Sequence, residues 1–184
     1  MKILGGKFKG RNFYMPSDIR PTQNLVRKAL FDVCGQEMKE FIVLELFAGS
    51  GAVGMEAISR GAKFVIFVDH NPKSCKVIKK NCDLLEIENY DLLEQDAYSA
   101  IKDLSRSGQR FDFVFVDPPF GLALAKKALK TLGGYDILQP NCQVVIQHDK
   151  KEILPQSAGR ISRFKEKIYG SNVLSIYQIA ENIT

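Results

Sequence analysis

The stretch IVLELFAGSGAVG at residues 42–54 decides the fold class. An aliphatic run from Ile42 to Phe47 passes straight into glycines at 49, 51 and 54, so a strand gives way to a sharp turn and the turn to a helix. Glycines in that turn let a ligand approach the backbone. Outward from it the alternation repeats. KFVIFVD (63–69), YDLLEQD (90–96), FDFVFVD (111–117) and CQVVIQH (142–148) read as further strands. Between them helices are predicted near 52–60, 72–86, 97–105 and 122–132, the second opened by Asn71 as cap and Pro72 as first helical residue. Strands alternating with helices predict a parallel sheet covered on both faces. ISRFKEKIYG (161–170) and NVLSIYQIA (172–180) have no helix between them and predict an antiparallel last pair, seven strands in all.

Upstream, residues 2–14 (KILGGKFKGRNFY) alternate loosely around Gly5-Gly6 and Gly10, which suits a short β-ribbon with a tight turn. Thr22, after Arg20-Pro21, can cap a helix whose apolar residues Leu25, Val26, Ala29, Leu30 and Val33 recur at helical spacing up to Cys34-Gly35. Its other side should show Arg27 and Lys28.

With 184 residues, 45% of them apolar and 26% charged, the chain reads as one domain, 1–184: a basic extension and helix at 1–39 and an α/β core at 40–184. That composition excludes a disordered or low-complexity chain. No apolar run is long enough to span a bilayer, and MKILGGKFKG is not a secretory leader, so a cytoplasmic protein is expected. Cys34, Cys75, Cys82 and Cys142 lie far apart and there are two histidines, which supports neither a disulfide framework nor a metal site. Nothing in the chain demands a second copy, so a monomer is expected.

The net charge of +5 sits in one place. Residues 1–39 hold eight Lys and Arg against three acids, and the other 145 residues balance at eighteen against eighteen. Such a segment fits a polyanion-facing surface, or equally a solvated arm.

Three strand candidates end in an acid, Asp69, Asp96 and Asp117, and should line the crevice at the carboxyl edge of the sheet. The turn contains G-x-G-x-x-G, and Asp69 lies twenty residues past Gly49, where an acid can bind a ribose. A nicotinamide dinucleotide and S-adenosylmethionine both present such a ribose. Glu45, two residues before the turn, suits a ligand's ammonium group better than a pyrophosphate, with an ion pair to Arg20 or Arg27 as the competing structural role. The strongest signal is Asp117-Pro118-Pro119-Phe120 after the fourth strand. Two prolines stop the ladder, the Asp117 carboxylate and Pro118 carbonyl offer two acceptors to an NH2 group, and Phe120 offers a face for a planar base. The competing role is a rigid strand-end turn with Phe120 in the core.

The Glu45–Gly51 loop, Asp69, Asp96 and Asp117–Phe120 resemble class I S-adenosylmethionine-dependent methyltransferases (Rossmann-like) that modify exocyclic amines. Gly5-Gly6-Lys7-Phe8-Lys9-Gly10-Arg11, Arg20-Pro21-Thr22 with Val26–Phe31, and Tyr169-Gly170 are similar to the RsmD family, over essentially the whole chain. The chain departs from the family pattern at Glu45, where Asp is common, at Asn24, where an acid is common, and at Gln147, where Glu is often found. The resemblance implies methyl transfer from S-adenosylmethionine, leaving S-adenosylhomocysteine, to the N2 amine of one guanine in small-subunit (16S) rRNA, free or in an assembling subunit, without a metal. It implies that Glu45 lies near the methionine end of the cofactor, that Phe47, Ala48, Gly49, Ser50 and Gly51 pass beneath it, that Asp69 with His70 holds the ribose, and that Asp96 with Ala97 flanks the adenine. Asp117, Pro118, Pro119 and Phe120 would hold the guanine. Lys7, Lys9, Arg11, Arg20, Thr22 and Arg27 would hold RNA. Phe8, Phe13 and Tyr14 would either stack on bases or tie the arm to the domain. Three other readings stay open: adenine N6 as the acceptor, a dinucleotide-dependent oxidoreductase, and a noncatalytic RNA-binding module.

Overall fold

The computed structural model describes residues 1–15, 24–121 and 123–180. Its elements run α1 (Asn24–Cys34), β1 (Ile42–Leu46), α2 (Ala52–Ser59), β2 (Phe64–Asp69), α3 (Pro72–Leu85), β3 (Tyr90–Glu94), α4 (Ala97–Arg106), β4 (Phe111–Val116), α5 (Leu124–Gly134), β5 (Leu138–Asp149), β6 (Ser157–Ala158), β7 (Ile161–Tyr169) and β8 (Asn172–Ile179). One sheet orders them β3-β2-β1-β4-β5-β8-β7-β6. The first five are parallel and the last three antiparallel, which is the class I methyltransferase arrangement. Among the described residues no helix is long and apolar enough to cross a membrane.

Alternation along the strands divides the core. Val43, Val65, Phe67, Phe113, Phe115 and Val145 point to the face covered by α1, α2 and α3. Leu44, Leu46, Ile66, Val68, Val114, Val116, Val144 and Ile146 point to the face covered by α4 and α5. Every residue of α2 is buried. Glu45 alternates with Leu44 and Leu46 and so falls on the face of this helix, which decides its role below.

Three expectations need correction. The described sheet has eight strands rather than seven, because Ser157–Ala158 pair with Ile161–Ser162 around Gly159 (φ 56°), a unit too short to leave a hydrophobic period. β5 starts at Leu138, earlier than expected, because its first residues include Gln139, Pro140 and Asn141, and the register slips between Phe111 and Phe113 where they are accommodated. The N-terminal ribbon forms but is shorter than expected, its pairing confined to residues 1–3 with 10–13, where Lys2 bridges Asn12, the Ile3 amide donates to the Arg11 carbonyl (3.0 Å) and the Phe13 amide to the Met1 carbonyl (2.9 Å). Residues 5–10 fold instead as turns docked on the end of α2. The Lys7 amide donates to the Ser59 carbonyl (2.7 Å), the Phe8 amide to Ser59 Oγ (2.9 Å), and Ser59 Oγ to the Gly5 carbonyl (2.5 Å). A Cβ on Gly6 would stand 1.8 Å from the Ser59 carbonyl oxygen, so the paired glycines serve this docking.

Candidate active site

The carboxyl ends of β1, β2, β3 and β4 open onto one edge, and the sequence candidates gather there. Beyond Leu46 the chain turns through Phe47 (φ 57°), Gly49 (φ 57°) and Gly51 (φ 74°). The turn is closed by the Ala48 amide on the Val68 carbonyl (3.0 Å) and the Gly51 amide on the Ala48 carbonyl (2.7 Å). Phe47 holds a left-handed conformation without being glycine, a conformation that carries strain of order 1–3 kcal/mol and collects at functional sites. Its ring meets Tyr98 of α4 edge-on, centroids 6.1 Å apart.

Asp69 ends β2 and locks the turn from the side. Its Oδ2 accepts from the Gly49 amide (2.8 Å) and its Oδ1 from the Asn71 amide (2.9 Å). Each carboxylate oxygen has a second lone pair to offer. His70 is exposed beside it, Nδ1 3.9 Å from Asp69 Oδ1. Asp96 lies past the end of β3 as the cap of α4, its Oδ2 accepting from the Tyr98 amide (3.1 Å), the Ser99 amide (3.0 Å) and Ser99 Oγ (3.3 Å). Ala97, the first residue of that helix, is buried.

Glu45 works from behind the loop. It is 3% exposed, and its two oxygens accept from the Val53 (3.2 Å) and Gly54 (2.7 Å) amides at the start of α2. A Cβ on Gly54 would lie 2.3 Å from the Phe67 ring and 2.8 Å from Glu45 Oε2, so the third glycine makes room for this contact. Burial pushes the Glu45 carboxyl up to about 8, the two amides oppose the rise, and the nearby Asp117 and Asp69 charges add to it. Of the two expected ion-pair partners of Glu45, Arg27 faces Glu56 instead (3.8 Å), and Arg20 lies outside the described residues.

Asp117 follows β4 directly, its amide 3.5 Å from the Leu46 carbonyl. It is half-buried, Pro118 buried, Pro119 exposed and Phe120 half-buried. Phe120 is not in either core; it lines a cavity of about 400 Å³ with Gly121, Ala123, Asp149, Lys151 and Glu152. The buried Gln147 at the end of β5 donates to Asn172 Oδ1 (3.3 Å). Among the described residues no three His, Cys, Asp or Glu side chains are grouped to hold a metal ion.

The cationic candidates among the described residues do not gather with these groups. Lys7 and Lys9 are exposed and line a separate groove of about 950 Å³ with Lys39, Arg60 and Lys63, at the amino ends of β1 and β2. Arg11 donates to the Leu84 (2.7 Å) and Leu85 (3.4 Å) carbonyls and so caps the last turn of α3. Arg27 requires a correction: expected on the surface as a phosphate contact, it is fully buried. It donates to the Lys2 carbonyl (2.6 Å) and Asn24 Oδ1 (3.1 Å), and burial holds its guanidinium below the usual arginine range. Arg20 and Thr22 lie outside the described residues. Phe13 is buried and ties the arm down, whereas Tyr14 is 44% exposed.

Asn81 is a residue that motif reading missed. Fully buried on α3, it exchanges hydrogen bonds with the Tyr14 backbone (2.7 and 2.9 Å) and donates to the Ser50 carbonyl (3.2 Å). It thereby joins the N-terminal arm to the glycine turn. Its signal was an amide among Cys75, Ile78, Cys82 and Leu85 on the apolar stripe of the helix.

Comparison with known proteins adds relatives to this geometry. Residues 1–178 match the family described as Conserved hypothetical protein 95. The ribosomal RNA small subunit methyltransferase D of Haemophilus influenzae is 31% identical over 184 residues, covering 97% of this chain and 93% of that protein. The protein of the same name from Buchnera aphidicola is 32% identical over 159 residues, 84% of this chain and 82% of that one. The solved structure of a hypothetical protein from Thermus thermophilus superposes with a TM-score of 0.85 at 28% identity, covering 97% and 99% of the two chains.

Proposed function

The chain belongs to the Conserved hypothetical protein 95 family, and from that membership and its crevice we propose that it methylates the N2 amine of a guanine in small-subunit ribosomal RNA, using S-adenosylmethionine. The observation that carries the choice of ligand is the electrostatics of the turn. The charges are those of Asp69 and Asp117, which lie close enough to the buried Glu45 to help hold its carboxyl protonated and neutral. Such a negative field favours a cationic ligand, a sulfonium with its ammonium group, and opposes a dinucleotide's pyrophosphate.

The residues present fit that cofactor. The left-handed turn 47–51 presents backbone, Asp69 offers its second lone pairs to ribose hydroxyls, and Asp96 with Ala97 borders the place for an adenine. When bound, the cofactor supplies a methyl group already activated on sulfur. Asp117 and the Pro118 carbonyl then accept the N–H bonds of the acceptor amine and aim its lone pair, while Phe120 stacks on the base. The amine loses a proton as it gains the methyl group, and Asp117 lies in the same site to take it, directly or through water. No residue need form a covalent bond, so positioning and fixed dipoles supply the rate.

The test is transfer of radiolabelled methyl to small-subunit particles and their naked RNA from cells lacking this protein, followed by nucleoside analysis. N2-methylguanosine is the expected product. Label in N6-methyladenosine would discard the base assignment, and no label would discard the reading. Asp117→Ala should lower transfer at least 100-fold with S-adenosylhomocysteine affinity kept within a few-fold, while Asp69→Ala should weaken that affinity first. Equal loss of affinity in both would overturn this division of roles.

A further inference from the structure

The cavity beside Phe120 has walls from two parts of the chain. Phe120, Gly121 and Ala123 come from the segment after β4; Asp149, Lys151 and Glu152 come from the end of β5 and the turn behind it. β4 and β5 are parallel, with Val116 opposite Ile146, so Asp117 and Asp149 leave the same edge of the sheet on neighbouring strands. Hydrogen bonds fix the second wall. Asp149 Oδ1 accepts from the Lys151 amide (2.8 Å), and Glu152 Oε1 from the Lys126 amide in the first turn of α5 (3.3 Å), which ties the turn after β5 to the helix after β4. The opposite wall holds Gly121 at φ 87° and Ala123, a residue with a side chain, at φ 52°. Strain of that kind persists where the surroundings impose it, commonly at ligand sites. The volume is that of a small-molecule pocket, for which about 300–1,000 Å³ is typical.

Charge on this lining is mixed, and the mixture has a chemical meaning. Beyond its amine, the Watson–Crick edge of guanine continues with the N1–H donor and then the O6 acceptor. Adenine held by its own amine presents instead a lone pair at N1. We infer that this cavity reads the acceptor base: the Asp149 and Glu152 carboxylates accept from guanine N1–H, and the Lys151 ammonium donates to O6. The inference rests on the proposed function, since it takes the amine to be held by Asp117 and Pro118. Adenine is rejected because its N1 lone pair would face a carboxylate and nothing would answer the ammonium. Discrimination by an unpaired polar group is far stronger than discrimination by shape alone.

The experiment compares the intact wild-type chain with Asp149→Asn, Glu152→Gln, their double variant and Lys151→Met on small-subunit RNA. Rates of N2-methylguanosine and N6-methyladenosine formation are read together with S-adenosylhomocysteine affinity and thermal midpoint. Lys130→Met, on the exposed side of α5, is the control expected to match wild type. The double variant should form N2-methylguanosine at least tenfold more slowly, with the adenine-to-guanine product ratio raised at least tenfold. That shift is expected because an amide can donate to adenine N1. Lys151→Met should lower guanine methylation at least tenfold, and cofactor affinity should stay within twofold throughout. Variants that bind cofactor normally and methylate guanine at the wild-type rate and ratio would overturn the cavity assignment while leaving the proposed function standing. A wild-type chain that labels no guanine would overturn both.

Discussion

Replacing Arg27 by methionine separates two roles for one cation, an internal strut or a phosphate contact. Methionine keeps most of the aliphatic stem and removes the guanidinium. The groups left behind set the magnitude. The Lys2 carbonyl, which is partly buried, loses its 2.6 Å donor, and an acceptor left so costs no more than about 1–3 kcal/mol. Glu56 is not stranded, because Arg60 Nη2 (2.9 Å) and Nε (3.1 Å) and the Leu4 amide (2.9 Å) still hold its carboxylate. The cost therefore falls below the roughly 3–5 kcal/mol of a buried charge left alone. It is further offset because burial already disfavours the Arg27 charge, and Arg27 Nε has no hydrogen-bond partner among the described residues. A loss of about 2 kcal/mol is expected, read from urea unfolding. Binding of small-subunit RNA, titrated with salt on the folded variant, should keep the wild-type slope. A phosphate contact predicts the reverse: unchanged stability and a slope of log affinity against log salt shallower by about 0.7–0.9. That result would refute the burial argument and return Arg27 to the RNA surface.

Two further predictions concern the glycine turn. The folded chain holds a proton on Glu45 up to about 8, whereas the ordinary carboxyl value is 4.5, so this group's contribution to stability is full below about 4.5 and is lost as pH rises to 8. Glu45→Gln should flatten that fall between pH 5 and 8 in paired urea titrations; an equal fall in both proteins would place the titration elsewhere. Gly54→Ala puts a methyl group 2.3 Å from the Phe67 ring and should cost about 1–3 kcal/mol by overpacking. An unchanged thermal midpoint would show that Phe67 moves aside freely.

Much of the fold was legible because strands and helices here carry clean periods. β1, β2 and β4 are aliphatic and aromatic runs broken only by Glu45 in β1 and Asp112 in β4, each closed by a turn or an acid, and their order in the chain predicts their parallel pairing. The placement of the candidate residues was legible for the same reason. Asp69 and Asp117 stand at strand ends, where position along the chain converts directly into position on the crevice edge. β5 was cut short because Gln139, Pro140 and Asn141 carry no strand signal, although the ladder absorbs them by a slip in register.

The basic arm was not legible, because a count of charges has no direction. Arg27 turns inward on account of Glu56, a carboxylate on a helix whose every residue is buried, and that requirement arises only after α1 and α2 are packed. Arg11 turns to the last carbonyls of α3, and Gly5 and Gly6 are fitted against Ser59 and Arg60. Each contact spans dozens of residues and leaves no local period. Together they give the arm a use other than the one its charge suggests. Asn81 bonds Tyr14 on one side and the Ser50 carbonyl on the other, so the arm and the glycine turn share one buried amide. An arm pulled away from α3 would take from Asn81 the partners that orient it, and the backbone at Ser50 would lose a defined donor. Cations at the amino edge of the sheet and the turn at its carboxyl edge are thus mechanically joined through α3, even though no charged group of the arm reaches the crevice among the described residues.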